Sequence, residues 1–593
     1  MQPRAQYEER LQQRRADVDR LTRRAERLSR ARTLTFTAGI LLLFLAFDLR
    51  VLPRALVAIP VAIFIGLIVV HQRARLARRQ AQRSAVFYGA GLARLDHTWA
   101  GKGVTGERFL DPAHPYAPDL DLFGRGSLFE LLCTARTQAG EETLAGWLLA
   151  PAAPAAVRAR QQAIDELRPR LDLREEMALL GEDIRGAIDP AALTRWASGE
   201  PWRVTTIERV LAGLLPVVSL GSFGAWYFGW LGSWPMLAAG AVQLAFAFRL
   251  RPRVLQALRR ANQPAAHLAL LADLLARLEG ETFQAPSLRA LQAAVQNAGE
   301  PPSRRIARLQ RLIDLLEAYR NQVFAMLSLG LMWRTNFALA IEAWRAVSAP
   351  AVPRWLAAIG ELEALLALAS HAYEHPGDPF PELVDGAPLV DGTRLGHPLL
   401  PDERCVRNDV RLDDRLRVLI VSGSNMSGKS TLLRTVGVNV VLALAGAPVR
   451  AARLRLTPVA IGAAIRIVDS LQDGTSRFYA EVKRLSQIVD IARGPLPLLF
   501  LLDEILSGTN SHDRAIGAEA IVQSLATSGA IGFVTTHDLA LARIVDVLGG
   551  HAQNVHFEDH LEDGRMCFDY TMRPGVVTKS NALALMRAVG LSV

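Results

Sequence analysis

The segment Gly423-Ser-Asn-Met-Ser-Gly428-Lys429-Ser430 leaves little freedom for the chain around it. It fits the pattern G-x-x-x-x-G-K-[ST], in which glycines let the backbone curl until successive N–H groups converge on one anion. Such a loop needs a strand before it and a helix behind it, whose N-terminus adds partial positive charge at the same point. Both are present: Val418–Val421 reads as a buried strand and Thr431–Leu444 as a helix. The expected occupant is a polyphosphate. Lys429 is placed to reach the β- and γ-phosphates and Ser430 to bind Mg²⁺. Gly423, Ser424, Asn425, Met426, Ser427, Gly428 and Thr431 complete the expected nucleotide-binding set.

Two further segments end in polar clusters. Pro497-Leu-Leu-Phe-Leu-Leu-Asp503-Glu504 is an unbroken apolar run closing on two acids. Such a run suits a strand buried on both faces of a parallel sheet, and ligands bind beyond the C-terminal ends of those strands. Asp503 is suited to hold Mg²⁺, and Glu504 to orient or deprotonate an attacking water. Ile531-Gly-Phe-Val-Thr-Thr536-His537-Asp538 repeats the design, with His537 in reach of a γ-phosphate. Together these segments predict an α/β phosphate-loop ATPase domain over residues 387–593, with ATP and Mg²⁺ as cofactors.

The rest of the chain is of another kind. Half of the 593 residues are apolar, and the formal net charge is +10. Residues 1–32 are Arg-rich and read as a basic amphipathic helix. Thr33–Phe47 and Ala55–Val70 are uncharged, flanked by Arg30 and Arg32 before and by Arg73, Arg75, Arg78 and Arg79 after. That asymmetry predicts a membrane hairpin over 33–70 with both ends cytoplasmic. Val210–Phe248 carries no charge either. Trp226, Tyr227, Trp230 and Trp234 crowd its central turn, and Arg249, Arg251 and Arg253 follow it, so a second hairpin is expected over 206–249. Residues 85–205 and 250–375 read as all-α regions. Asn321–Ile341 is apolar, but Arg334 and Asn336 interrupt it, which favours a core helix over a fifth span. His375–Gly386 reads as a linker. Cys133, Cys405 and Cys567 lack metal-ligand or disulfide spacing.

The order of these elements resembles the ABC-type ATPases, and among them the MutS family of DNA mismatch repair proteins. The likeness rests on Ser424–Thr431, on Asp503-Glu-Ile-Leu-Ser-Gly-Thr-Asn510 and on Gly396-His397-Pro398. It rests also on Pro574–Ser580 and on Asp473-Gly-Thr-Ser476-Arg477-Phe478 with Glu481. Asp121–Gly124, Thr143–Leu148 and Arg160–Ile164 are similar to the family's core and lever helices. The resemblance implies a homodimer in which Ser476 of one subunit completes the nucleotide site of the other. It also implies that Cys405 and Val406 flank the adenine, with Cys405 standing where the family often has an aromatic, and that DNA is a candidate partner. Residues 1–84 hold a basic helix and an apolar hairpin in place of a mismatch-reading domain, so mismatch reading is not expected.

The expected molecule is an α/β ABC-type ATPase domain preceded by an all-α core and lever region with membrane hairpins. It would sit as a multi-pass protein of the inner membrane, in contact with the lipid bilayer, its ATPase domain cytoplasmic. An ATP-driven transporter or a nucleotide-switched scaffold at the membrane are the alternatives.

Overall fold

The computed structural model describes all residues except 1, 183–188, 201, 203, 297–298, 318–327, 329, 425, 467–476, 508, 538–540, 563–564 and 578–593. The basic stretch and the first apolar run form one unbroken helix, α1 (Pro3–Phe47). Its composition explains this, because Leu, Ala, Arg and Glu are strong helix formers and Pro3 occupies the first turn, where no N–H is missed. A short turn leads into α2 (Ala58–Leu95). Arg4 meets Asp96 at 2.6 Å, so the two helices run antiparallel along their whole length. At about 1.5 Å per residue, α1 is roughly 68 Å long.

The far half of this hairpin exposes Leu34, Phe36, Ile40, Leu41, Ile59, Ile63 and Ile65, each at least half accessible. A second hairpin, α8 (Thr206–Tyr227) and the start of α9 (Ser233–Glu279), does the same with Val210, Val217, Trp230 and Trp234. Among the described residues, three helical stretches are long and apolar enough to cross a membrane: Pro3–Phe47, Arg54–Leu95 and Thr206–Tyr227.

Between and after the hairpins lies a helical body. It comprises α3 (Leu128–Leu132), α4 (Gln138–Leu149), α5 (Pro154–Leu167), α6 (Leu171–Glu182) and α7 (Pro190–Ser198). The inner part of α9 follows, with α10 (Pro286–Gln296), α11 (Pro302–Glu317), α12 (Trp333–Ser348) and α13 (Val352–Glu374). α12 covers the described end of the apolar stretch at 321–341 and is a core helix: its Glu342 and Arg345 are buried and pair at 3.5 Å. α13 is buried nearly all round and forms the axis of the body, as expected of a helix apolar on every face.

Two buried carboxylates on α13 tie distant segments to it. Glu363 accepts the N–H of Arg136 at 3.1 Å and both the N–H and hydroxyl of Thr137, so it sits at the N-terminus of α4. Glu374, the last residue of α13, accepts two bonds from Arg94 at 2.8 and 2.5 Å and one from the Tyr7 hydroxyl at 3.2 Å. Beside it, Glu175 of α6 accepts from Arg14 at 3.0 Å and from the Tyr88 hydroxyl at 2.5 Å. The basic foot of the first hairpin is thereby seated on the body by buried ion pairs. Gly91 makes the seat possible, because a Cβ there would lie 2.5 Å from the Tyr7 ring.

The C-terminal α/β domain holds two sheets. The smaller orders β1 (Glu382–Leu383), β5 (Arg453–Leu456), β2 (Val390–Leu395) and β3 (Asn408–Leu412). The larger orders β10 (Arg565–Pro574), β9 (Ala552–Glu562), β4 (Val418–Ser422), β8 (Ile531–Thr536), β7 (Leu498–Asp503) and β6 (Ala460–Ala464). From β9 to β6 all neighbours are parallel, and β10 closes one edge antiparallel. The sheet packs against α14 (Lys429–Ala445), α15 (Arg477–Ile491) and α16 (Ser511–Thr527). The expected strands at Val418, Pro497 and Ile531 and the helix after the glycine loop are all present within two residues.

Burial pushes the Glu363 carboxyl up from 4.5 to about 7, against the donors that surround it. A carboxyl raised in the folded state binds its proton more tightly there than in the unfolded chain. Its contribution is therefore complete below pH 4.5 and is lost as pH rises through about 7. The loss amounts to on the order of 3 kcal/mol at most. Glu363→Gln is expected to flatten the decline in thermal midpoint between about pH 5 and about pH 8. An equally steep decline in that variant would refute the assignment.

Candidate functional site

The site grows from the C-terminal edge of the parallel sheet. β8 lies between β4 and β7, with Ser422 opposite Thr536 and Asp503 opposite Thr535. The glycine loop after β4 and the acids ending β7 therefore flank β8 at the same edge. α14 begins at Lys429, directly behind the loop, and ends on Gly446 in the left-handed conformation that stops a helix.

Backbone strain concentrates around this edge. Gly423 and Gly428 have φ of 151° and 107°, which suit glycine, while Met426, Glu504 and Leu506 take φ of 71°, 47° and 56°. A left-handed non-glycine residue costs about 1–2 kcal/mol, so three of them within one site are held there by their surroundings. Gly428 is needed for a second reason: a Cβ there would lie 3.0 Å from the Tyr570 ring.

Lys429 is buried, and its ammonium donates to the carbonyls of Gly423 at 2.9 Å and Ser424 at 2.8 Å. It lies 3.6 Å from the Glu504 carboxylate, whose Oε1 is also 3.3 Å from His537 Nδ1. Burial lowers the Lys429 pKa, and Glu504 and Asp503 oppose that shift. Asp503 accepts from the Thr535 hydroxyl. The hydroxyls of Ser424 and Ser427 are buried and have no hydrogen-bond partner among the described residues. Loop hydroxyls left unsatisfied beside a buried ammonium fit an anion that brings its own acceptors.

An open cleft of about 860 Å³ runs from this edge toward the smaller sheet. It gathers Met426, Gly428, Lys429, Ser430, Thr431, Asp503 and Glu504 with Cys405 and Val406, so the two halves of the expected site face one space. Gly423, Ser424 and Ser427 stand behind the cleft wall and meet it through Lys429 and the turn of the loop. Asn425 and Ser476 lie outside the described residues, as does most of the segment 473–478. Glu481, expected to act with that segment, is buried in its own chain's cleft and accepts the Leu506 N–H.

The Cys405 side is built by long-range contacts. Asn439 of α14 donates to the Gly396 carbonyl at 2.9 Å and accepts the Arg450 N–H at 2.7 Å. Arg450 in turn holds Asp402 at 2.5 Å and Asp378 at 3.3 Å. Burial pulls the His397 pKa down to about 4, so its ring is neutral near pH 7. Tyr570 was missed by sequence reasoning. It sits where the β9–β10 register slips, with φ of 53°, and Asn408 fixes it by donating to its carbonyl at 3.0 Å. Nothing in the alternation of a strand announces such a residue. Only its nearness to Pro574–Ser580 was a signal.

Among the described residues no three His, Cys, Asp or Glu side chains cluster as a metal site.

Residues 419–592 match the family model described as MutS domain V. The chain is 35% identical over 241 residues to Endonuclease MutS2 of Thermus thermophilus, a match covering 40% of this chain and 31% of that protein. It is 34% identical over 251 residues to DNA mismatch repair protein MutS 2 of Halobacterium salinarum, covering 41% and 27%. It is 36% identical over 234 residues to DNA mismatch repair protein MutS of an Exiguobacterium species, covering 37% and 26%. The matches thus span under a third of each of these relatives. The likeness lies in the C-terminal α/β domain, which resembles MutS domain V.

Proposed function

We propose that the chain is a membrane-anchored MutS-like ATPase of the ABC type that binds and hydrolyses ATP with Mg²⁺ as a homodimer and couples that cycle to DNA. The observation that carries the catalytic part is the convergence of Lys429, Asp503 and Glu504 on one cleft across an intervening strand. In this reading the Lys429 ammonium exchanges its loop carbonyls for β- and γ-phosphate oxygens, and the N–H groups of the glycine loop converge on the same phosphates. Ser430 and Asp503 would hold Mg²⁺, which supplies positive charge to the phosphate oxygens. Glu504 orients the attacking water and takes its proton, and His537 steadies Glu504 from the other side. Cys405, Val406 and Tyr570 flank the base. Ser476 of a second subunit completes the site.

The exposed hairpins support the membrane part. Burying a large aliphatic or aromatic side chain is worth about 1.5–3 kcal/mol, so the eleven named above, each at least half exposed, by themselves forgo roughly 10 kcal/mol. That is comparable with the stability of a whole domain, and the surface needs a cover. Arginines at the feet and tryptophans at the far turn of α8–α9 match a bilayer entered from the cytoplasmic side. The likeness to an endonuclease and to mismatch repair proteins supports DNA as the partner, as does the net charge of +10.

Lys429→Ala is expected to abolish ATP binding, and Glu504→Gln to retain ATP while lowering turnover at least about a hundredfold. Filter binding and phosphate release measure the two effects, and wild-type turnover in either variant would refute the site. Carbonate-washed membranes should keep the protein, whereas recovery in the soluble fraction would remove the membrane part. DNA binding by detergent-purified protein should weaken steeply as salt rises and respond to ATP. No binding at low salt would leave the transporter or scaffold alternatives.

A further inference from the structure

Thr535 is the next-to-last residue of β8, between the strand that leads into the glycine loop and the strand that ends in the acids, and it is completely buried. Its β-branched side chain suits a strand, but a valine would serve that purpose equally well. What distinguishes threonine is the hydroxyl, which among the described residues bonds to the acidic pair. Oγ1 donates to Asp503 Oδ1 and accepts the N–H of Glu504 at 3.1 Å. The same N–H lies 3.2 Å from the Thr535 carbonyl. Strand register places Thr535 directly across from Asp503, so the contact is built into the sheet.

One hydroxyl therefore does two things. It engages one oxygen of Asp503, which fixes the carboxylate plane and leaves Oδ2 to be presented to a ligand. It also pins the Glu504 amide where the backbone enters the left-handed region at φ of 47°. We propose that Thr535 is a positioning residue for the metal-binding carboxylate, acting through Asp503 and Glu504 rather than on nucleotide or metal directly. The proposal rests on the ATPase reading given above. Groups that orient a metal's ligands typically contribute ten- to a hundredfold to metal affinity, a size that experiment resolves.

The test uses the full-length protein in detergent, a fluorescent non-hydrolysable ATP analogue, and Mg²⁺ titrations. Thr535→Val keeps the shape and removes the hydroxyl, whereas Thr535→Ser keeps the hydroxyl. For Thr535→Val the Mg²⁺ concentration giving half-maximal analogue binding is expected to rise about tenfold. Metal-free analogue affinity and thermal midpoint should stay at the wild-type values, and the kcat for ATP should fall with little change in KM. Thr535→Ser should restore the wild-type Mg²⁺ titration. If Thr535→Val does not fold, Thr535→Ala carries the same comparison. Wild-type binding with an unchanged Mg²⁺ titration in the hydroxyl-less variant, or failure of serine to restore it, would overturn the role of Thr535 alone. A wild-type protein that binds no analogue at any Mg²⁺ concentration would overturn the ATPase reading and this proposal with it.

Discussion

Every polar atom of the site depends on the register of a parallel sheet buried on both faces. Inside β4, β7 and β8 the side chains are apolar and enclosed, so no polar group can be placed there without losing hydration. The chain can turn polar only where strands end. Parallel strands end together at one edge, and that edge receives the glycine loop, the acids and His537. Neighbouring strands stand about 4.8 Å apart, so with β8 between them the loop and the acids begin about 10 Å from each other. Lys429 closes that gap by reaching across to Glu504.

The electrostatics at this edge are those of a site poised for exchange. The Lys429 ammonium is removed from water and rests on two carbonyl oxygens, which carry only partial negative charge. Carbonyls are weaker partners for a buried cation than phosphate oxygens, which favours substitution by a ligand. The strained conformations of Met426, Glu504 and Leu506 lie on both sides of that point. Their placement keeps the loop tip and the acid-bearing turn from relaxing into ordinary helix or strand.

Much of this was legible because its signals are local. A glycine loop, a continuous apolar run and a closing pair of acids can each be read within ten residues, and the strands at Val418, Leu498 and Ile531 appear where those runs stand. The basic and apolar stretches of the first hairpin were legible too, but not their fusion into one helix, since a change from charged to apolar side chains at residue 33 need not interrupt backbone hydrogen bonding. What escaped is non-local. Tyr570 depends on a slip between two strands. The pairing of Thr535 with Asp503 depends on register. Glu363 and Glu374 look like ordinary helix-surface acids until the packing of α4 and of the hairpin foot encloses them. Cys405 was suggested by resemblance alone, and the contacts that carry its loop to the cleft, through Asn439 and Arg450, span tens of residues.

The seat of the first hairpin has a mechanical consequence. Glu374 is where α13 stops and the chain departs for the smaller sheet, with His375 next to it lying 3.4 Å from Arg450. Arg94 and Tyr7 grip that same carboxylate from the hairpin. Separating a buried guanidinium from its carboxylate costs several kcal/mol, and Arg14 on Glu175 of α6 holds the same foot at a second point. The hairpin foot, the end of α13 and α6 are therefore coupled as one piece, so a load on the apolar far half of the hairpin is felt where the chain departs for the smaller sheet.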